Sequence, residues 1–100
     1  MMHSERRAQL ITVGGQMAVR DGIRVVTQES IAVEAGVSRT LVNAMFGGMG
    51  HYWNAVMEDA VKRRDVELLA QGLALGVPAA QSAPRRLRAA AAKVLAGVAA

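Results

Sequence analysis

The sequence predicts an all-α protein of about five helices, from three observations. Alanine and leucine, both strong helix formers, supply much of the apolar content. Apolar residues recur at spacings of three and four along most of the chain. Glycine and proline interrupt this pattern at a few places, and no stretch reads convincingly as a strand. We therefore expect a three-helix core, followed by a long helix and a C-terminal helix.

Composition and charge narrow the class of protein. The chain has 12 basic and 8 acidic residues, a formal net charge of +4, which suits a polyanionic partner without requiring one. It contains no cysteine, so nothing indicates disulfide bonds or an oxidising compartment. No apolar run is long enough to span a bilayer, and the first ten residues lack the apolar core of a signal peptide. We expect a cytoplasmic protein that makes no membrane contact.

The first helix is predicted from Ser4, its N-cap, to Asp21, with Gly22 ending it. Its apolar face consists of Leu10, Ile11, Val13, Met17 and Ala18. Gly14 and Gly15 lie in the middle of this helix, where each glycine costs about 1 kcal/mol relative to alanine. Such a pair indicates the close approach of another helix, which we expect to be the one that starts near residue 50.

Two short helices joined by a tight turn are predicted between Thr27 and Phe46. Thr27 can cap the first, residues 28–35, and Gly36 can end it with a positive φ. Ser38 can then cap the second. One side of the second helix is apolar, with Val42, Met45 and Phe46; the other side has Arg39, Thr40, Asn43 and Ala44. This pattern is typical of a helix-turn-helix unit, whose second helix enters the DNA major groove.

The residues Ile31-Ala32, Ala35-Gly36-Val37-Ser38 and Phe46 resemble the DNA-binding domain of the TetR repressor family. The resemblance covers roughly the first 60 residues. It implies a DNA-binding core in residues 1–50, followed by C-terminal helices in 51–100. The chain departs from the family's pattern at Asn43 (usually tyrosine), Met49 (usually a phosphate-binding lysine) and Gly14 (usually alanine). In length it is similar to compact plasmid-borne repressors of the KorC type, and we expect no ligand-binding domain.

Specific roles on DNA can be assigned to the second short helix. Arg39 can donate to guanine O6 and N7, and Asn43 can pair with adenine N6 and N7. Thr40 and Leu41 can meet thymine methyl groups, with Ala44 on the same side of the helix. The residues expected to contact phosphates are Thr27, Gln28 and Ser38. The alternative interpretation is a set of ordinary polar residues on a solvated surface.

The start of the fourth helix has a further implied role. In the family that the chain resembles, this point faces the DNA backbone, so His51 or Tyr52 can supply the contact that Met49 cannot make. A surface histidine and a core tyrosine are the alternatives. Trp53 is interpreted as a core residue. Arg20 and Arg24 are either phosphate contacts or ordinary solvated arginines.

The second half of the chain is predicted to contain two helices. The glycine-rich stretch at 47–50 starts a long helix from about His51 to Leu75, which Gly72, Gly76 and Pro78 weaken and stop. Residues 78–84 are predicted as a linker, and a final helix runs from Pro84 to about residue 98.

These helices carry more large apolar residues than a monomer covers easily. The candidates for a subunit interface are Leu68, Leu69, Leu73, Leu75, Leu87, Val94 and Leu95. A two-fold dimer would hold two recognition helices about one DNA turn apart, which requires an inverted-repeat operator. A self-contained monomeric bundle is the alternative. The residues after the motif are too few to enclose a drug-sized pocket, so we expect no small-molecule ligand.

Catalytic constellations are missing from the sequence. His3 and His51 lie far apart and have no cysteine near them, and the adjacent helical residues Glu58 and Asp59 point in different directions. We expect no catalysis, no metal site and no cofactor. The sequence therefore predicts a transcriptional repressor that binds a palindromic double-stranded operator as a homodimer. The competing hypothesis is a protein–protein interaction module built on the same helices.

Overall fold

The computed structural model describes residues 2–99, and in that range the chain forms seven α-helices and one short 3-10 helix, with no β-strand. They are α1 (His3–Asp21), the 3-10 helix (Ile23–Val25), α2 (Gln28–Ala35), α3 (Arg39–Phe46), α4 (Met49–Arg63), α5 (Val66–Leu75), α6 (Pro78–Gln81) and α7 (Arg85–Ala99). The all-α prediction is confirmed, but five helices is wrong. None of these helices combines the length and the apolarity that crossing a bilayer requires. The residues form two compact units, the first ending at Tyr52 and the second beginning at Trp53.

Helix α1 starts one residue earlier than predicted. Its N-cap is Met2, which has no side-chain oxygen, so the prediction that Ser4 caps the helix is wrong. Of its predicted apolar face, Leu10, Ile11, Met17 and Ala18 are buried and Val13 is half-buried. Gly22 ends the helix as predicted, with φ 92° and its N–H donating to the Ala18 carbonyl. The amphipathic pattern of this segment therefore gave the correct buried face.

A tyrosine occupies the space beside the glycine pair. A Cβ atom placed on Gly14 would stand 2.6 Å from Cζ of Tyr52, which lies in the first turn of α4. Tyr52 is fully buried, and its hydroxyl donates to the Leu10 carbonyl oxygen at 2.5 Å. Burial raises the pKa of the Tyr52 phenol well above its usual range. The predicted close approach is confirmed, and Tyr52 is a core residue rather than a surface contact.

The predicted long helix over residues 51–75 is wrong, because it is divided into α4 and α5. Arg64 adopts φ 56° at the break. Asp65 follows, and its Oδ1 accepts a hydrogen bond from the Leu68 N–H at 3.2 Å. Aspartate is among the most favourable N-cap residues, so a new helix starts here. This local start signal outweighs an apolar periodicity that continues through the break.

The predicted linker over residues 78–84 contains the four-residue helix α6. Pro78 occupies its first position, where the missing N–H of proline costs nothing. The N–H of Ala79 donates to Oδ1 of Asn54 in α4, at 2.8 Å. That bond satisfies one of the amides that a helix N-terminus leaves unpaired. A side chain 25 residues earlier in sequence thus stabilises a helix too short to be recognised from its own composition.

The second unit is packed around α5, which lies against α6 and α7. Its buried residues include Trp53, Val56, Met57, Leu68, Leu69, Ala70 and Ala91. Helix α5 continues through Gly72 and ends at Gly76, which has φ 79°. A Cβ on Gly72 would lie 2.5 Å from Sδ of Met57 and 2.9 Å from Cβ of Ala80. This glycine is therefore a packing position, and the burial of Trp53 agrees with its interpretation as core.

Candidate nucleic-acid interface

The turn between α2 and α3 has the conformation that the sequence predicts. Gly36 adopts φ 71° and ψ 34°, the left-handed region in which glycine has no Cβ penalty. The Val37 N–H donates back to the Ala32 carbonyl at 3.0 Å, which satisfies one of the last carbonyls of α2. Ser38 Oγ then accepts from the Leu41 N–H at 3.1 Å and caps α3. The chain thereby stops one helix and starts the next within three residues.

Helix α3 has one exposed polar side and one buried apolar side. Arg39, Thr40, Asn43 and Ala44 are exposed, whereas Val42 and Phe46 are buried and Leu41 and Met45 are half-buried. Arg39 and Asn43 are four residues apart, so they lie one above the other on the same helix face. The guanidinium of Arg39 has no hydrogen-bond or ion-pair partner within residues 2–99. Both side chains predicted to read bases are thus directed to solvent.

Aromatic packing fixes α3 within the first unit. The ring of Phe46 meets the ring of Tyr52 edge to face, with centroids 4.9 Å apart and an interplanar angle of 87°. The Arg7 guanidinium carbon lies over the Phe46 ring, 5.3 Å from the ring centroid, and makes a cation–π contact. The edge-to-face arrangement is the geometry that aromatic quadrupoles favour. Neither contact follows from sequence spacing, because the partners come from α1 and α4.

A hydrogen bond joins the exposed parts of α2 and α3. Nε2 of Gln28 donates to Oδ1 of Asn43 at 3.2 Å. A carbonyl oxygen has two lone pairs, so Asn43 can accept this bond and still use its amide group on an adenine edge. Gln28, predicted only as a phosphate contact, therefore also orients Asn43. The spacing of residues in the sequence does not reveal this pair, because the bond crosses between two helices.

The predicted phosphate-contact hydroxyls are already helix caps. Oγ1 of Thr27 accepts from the Ser30 N–H at 3.1 Å, and Ser30 Oγ accepts from the Thr27 N–H at 2.9 Å, completing a capping box. Thr27 and Ser38 are both exposed. A hydroxyl that accepts a backbone N–H keeps its own proton for donation. Each hydroxyl can therefore cap its helix and donate to a phosphate oxygen at once.

The start of α4 lies directly after a glycine pair with positive φ. Gly47 has φ 79° and Gly48 has φ 136°, which lets the chain reverse from α3 into α4. His51 is exposed in the first turn of α4, whereas Met49 is half-buried. Of the two residues considered as substitutes for the missing lysine, His51 keeps an accessible side chain and Tyr52 does not.

Arg20 is paired with carboxylates. Its guanidinium lies 2.7 Å from Oδ2 of Asp21 and 3.1 Å from Oε1 of Glu34, within the first unit. Hydrogen bonds from Arg20 hold the pKa of the Asp21 carboxyl below its usual range. Of the two interpretations of Arg20, this pairing favours a solvated ion-pair role. Arg24 is exposed on the 3-10 helix.

We expect Arg20→Gln to return the Asp21 pKa to its ordinary range in an NMR titration of side-chain carboxyl carbons. A carboxylate whose pKa is lowered by folding stabilises the fold above its unfolded value of about 3.9, and that contribution is lost as pH falls through the folded value. The matched control is Arg24→Gln, which removes a neighbouring arginine and should leave Asp21 unchanged. An Asp21 titration that is the same in wild type and Arg20→Gln would contradict the pairing.

The seven residues predicted for a subunit interface lie in the second unit and differ in exposure. Leu68 and Leu69 are buried within that unit, so each has a core role in the single chain. Leu73, Leu87, Val94 and Leu95 are half-buried, and Leu75 is 39% exposed. Of the seven, these five residues keep side-chain surface that a second chain could contact.

The second unit also has a surface hollow of about 480 Å³ between α4 and α6. Asn54, Glu58, Val61, Lys62, Pro78, Ala79, Ser82 and Ala83 line it. None of them is among the residues predicted to contact DNA or a second subunit.

Within residues 2–99, no group of three or more histidines and carboxylates is placed to hold a metal ion. Comparison of the chain with protein-family models, with curated proteins and with solved structures finds no match.

Proposed function

We propose that this chain is a sequence-specific, DNA-binding transcriptional repressor. It acts in the cytoplasm, binds an inverted-repeat operator as a homodimer, and represses by occupying promoter DNA. The arrangement of α2 and α3 serves as a helix-turn-helix unit, with α3 as the recognition helix. The protein binds its operator without a small-molecule effector, a cofactor or a metal ion. The TetR-like resemblance of the turn residues agrees with this assignment.

One observation carries the proposal: α3 exposes Arg39 and Asn43 on one face while its opposite side is buried. An arginine fork matches guanine O6 and N7, and an asparagine amide matches adenine N6 and N7. Arg39 is the first residue of α3 and Asn43 the fifth, one turn later, and a recognition helix reaches base edges from its N-terminal end. The neighbouring exposed Thr40 and Ala44 offer methyl groups to thymine.

The surrounding residues supply the backbone contacts. Thr27 and Ser38 donate their hydroxyl protons to phosphates, Gln28 does so through its amide, and His51 lies at the exposed start of α4. Such contacts fix the register of the protein on the duplex without reading sequence. Leu41, half-buried on α3, contributes its remaining surface to a thymine methyl.

The homodimer pairs the exposed parts of α5 and α7. Leu73, Leu75, Leu87, Val94 and Leu95 form this surface in one protomer, and a two-fold axis brings the same residues from the other against it. Helix packing of this kind buries apolar area that a single chain leaves partly in water. Two recognition helices then require two half-sites, which doubles the sequence read by one complex.

We expect Arg39→Ala to abolish discrimination at one base pair of each half-site without changing the fold. The operator is first selected from a random double-stranded pool with wild-type protein and no added ligand. Affinities for this operator and for single-base variants are then compared. A bidentate arginine contributes about 1–3 kcal/mol of discrimination, so the variant should lose roughly 5- to 150-fold of preference at that position.

Two control variants sharpen the test. Arg39→Lys keeps the charge but loses the planar fork, so it should lose discrimination as well. Lys62→Ala removes an exposed positive charge from α4 and should keep the wild-type preference. Unchanged discrimination in Arg39→Ala would remove Arg39 from the interface. If wild type selects no sequence and binding hardly changes with salt, the protein-interaction module becomes the better assignment, because DNA binding weakens steeply as salt rises.

A further inference from the structure

Helix α7 carries a charge equal to the net charge of the whole chain. The sequence has 12 basic and 8 acidic residues, and α7 contains four of the basic residues and none of the acidic ones. The remainder of the chain therefore has eight of each and is formally neutral. The basic residues of α7 are Arg85, Arg86, Arg88 and Lys93.

These charges are exposed and have no acidic partners in the described part of the chain. All four residues are exposed, and none takes part in an ion pair there. Within residues 2–99, Arg88 is the one of the four whose side chain makes a hydrogen bond, from its Nε to the Ala83 carbonyl oxygen at 2.9 Å. By contrast, Arg20 and Arg63 each pair with two carboxylates. Arg85, Arg86 and Lys93 therefore present uncompensated charge to solvent.

The position of the arginines within α7 disfavours the isolated fold. Arg85, Arg86 and Arg88 occupy the first turn, where the helix dipole is positive and acidic residues are the favourable choice. Arg85 and Arg88 are also three residues apart, so their like charges repel across one turn. Folding stability does not account for this placement. An anionic partner does, because it relieves both the repulsion and the unfavourable dipole interaction.

The spacing of the charges suits a polyanion with regularly repeated groups. Arg86 and Lys93 are seven residues apart, which puts them on the same face about 10 Å apart along the axis. One strand of duplex DNA carries a phosphate for about every 3.4 Å of its axis. The basic face of α7 is therefore long enough to meet two or three phosphates.

The apolar side of α7 argues against a lipid surface. Ala91 is fully buried and Leu87, Val94 and Leu95 are half-buried, and α7 packs against α5. The exposed neutral residues of α7 up to residue 97 are alanines and a glycine. A helix that lies in a membrane interface needs large exposed residues such as Trp, Phe or Leu to insert. Up to residue 97, α7 offers charge without such an anchor.

We propose that the exposed basic face of α7, formed by Arg85, Arg86 and Lys93, binds the phosphates of duplex DNA without reading sequence. The choice of duplex DNA as the polyanion rests on the proposed function. The surface lies in the second unit and is separate from α3. It supplies affinity for any duplex, whereas α3 supplies discrimination.

The test compares two charge-matched double variants on a duplex that lacks the operator. Arg86→Gln/Lys93→Gln removes two charges from α7, and Lys62→Gln/Arg64→Gln removes two exposed charges elsewhere in the second unit. Glutamine is close to lysine and arginine in helix propensity, so α7 should stay folded, which circular dichroism checks. Dissociation constants are measured between 50 and 200 mM salt, by anisotropy of a labelled duplex.

The measured quantity is the slope of log Kd against the logarithm of the salt concentration. We expect this slope to be about 1.8 smaller for the α7 variant than for wild type, since each lost phosphate contact removes about 0.9. The ratio of its dissociation constants at 200 and 50 mM salt should thus be about tenfold smaller than that of wild type. The Lys62/Arg64 variant should keep the wild-type slope. An equal decrease of this slope in both variants, or an unchanged slope in the α7 variant, would overturn the proposal.

Two further measurements separate this surface from its alternatives. Vesicles of phosphatidylserine and phosphatidylcholine should bind wild type more weakly than the duplex does at the same salt concentration, because α7 offers them charge without an apolar anchor. Binding to these vesicles without binding to the duplex would overturn the proposal. The α7 variant should keep wild-type discrimination between the operator and its single-base variants. Arg39→Ala is measured by its base discrimination, and the α7 variant is measured by the slope of its salt dependence. Because the two measurements are independent, either proposal can fail while the other stands.

Discussion

Gly14→Ala is expected to destabilise the protein by about 3 kcal/mol, the upper part of the usual range for overpacking a core. The added methyl group would overlap the Tyr52 hydroxyl and lie 2.6 Å from the ring carbon Cζ. The ring cannot swing away, because it is fully buried, packs against Phe46 and donates to the Leu10 carbonyl. The gain of about 1 kcal/mol that alanine brings to a helix interior is too small to offset the clash.

The measurement is urea unfolding of wild type and variant, followed by circular dichroism. Gly50→Ala is the matched control, because it makes the same change in helix α4, where an added Cβ would meet no atom within 4 Å. That variant should be unchanged or up to about 1 kcal/mol more stable. If Gly14→Ala unfolds like Gly50→Ala, Tyr52 does not fill the space beside Gly14.

A double variant links this clash to its cause. Tyr52→Phe removes the hydroxyl that comes nearest to the new methyl group but leaves Cζ and Cε2 within 2.8 Å. Gly14→Ala should therefore cost less in the Tyr52→Phe background, without becoming harmless, and the cycle measures the coupling between the two residues. Since Tyr52 also packs on Phe46 of α3, the clash should displace the proposed recognition helix and weaken operator binding.

The corner between α2 and α3 could be predicted from the sequence because its signals are local. Thr27, Gly36 and Ser38 each act within three residues of their own position, as two caps and one left-handed turn. The exposed side of α3 also follows from a simple 3.6-residue period. For this reason the sequence places Arg39 and Asn43 on the solvent side of α3, which the structure confirms, and their contact with DNA is a prediction.

The second half of the chain was less predictable, because its breaks depend on a single cap and on distant contacts. Arg64 takes a left-handed φ that glycine usually adopts, so no glycine marks the end of α4. Asp65 was the available signal, but a continuous apolar period concealed it. The helix α6 depends on a hydrogen bond to Asn54, which no spacing rule reveals. Leu68 and Leu69 are buried, yet the sequence makes them candidates for a subunit interface, because a sequence alone does not distinguish a buried apolar face from an unpartnered one.

Gly72→Ala is expected to destabilise the second unit by about 2 kcal/mol, in contrast to the gain that helix propensity alone predicts for a glycine inside α5. The new methyl group would lie 2.5 Å from Sδ of Met57 and 2.9 Å from Cβ of Ala80. Both neighbours are fully buried, and the Ala80 Cβ is fixed by the backbone of α6, so only the Met57 side chain can adjust. Urea unfolding followed by Trp53 fluorescence measures this loss in the unit that contains both the glycine and the tryptophan.

A double-mutant cycle with Met57→Ala distinguishes overpacking from a simple backbone effect. Met57→Ala alone should cost about 2–5 kcal/mol, since it leaves a cavity in a closed core. In that background the methyl group of Gly72→Ala enters the cavity, so its cost should fall well below the single-variant value. If Gly72→Ala costs the same in both backgrounds, the loss comes from the backbone or from Ala80 instead. A reduced cost means that the Met57 side chain fills the space that a Cβ on Gly72 would need. Glycine weakens an isolated helix, but here it is then the residue that allows α5 to pack in this core.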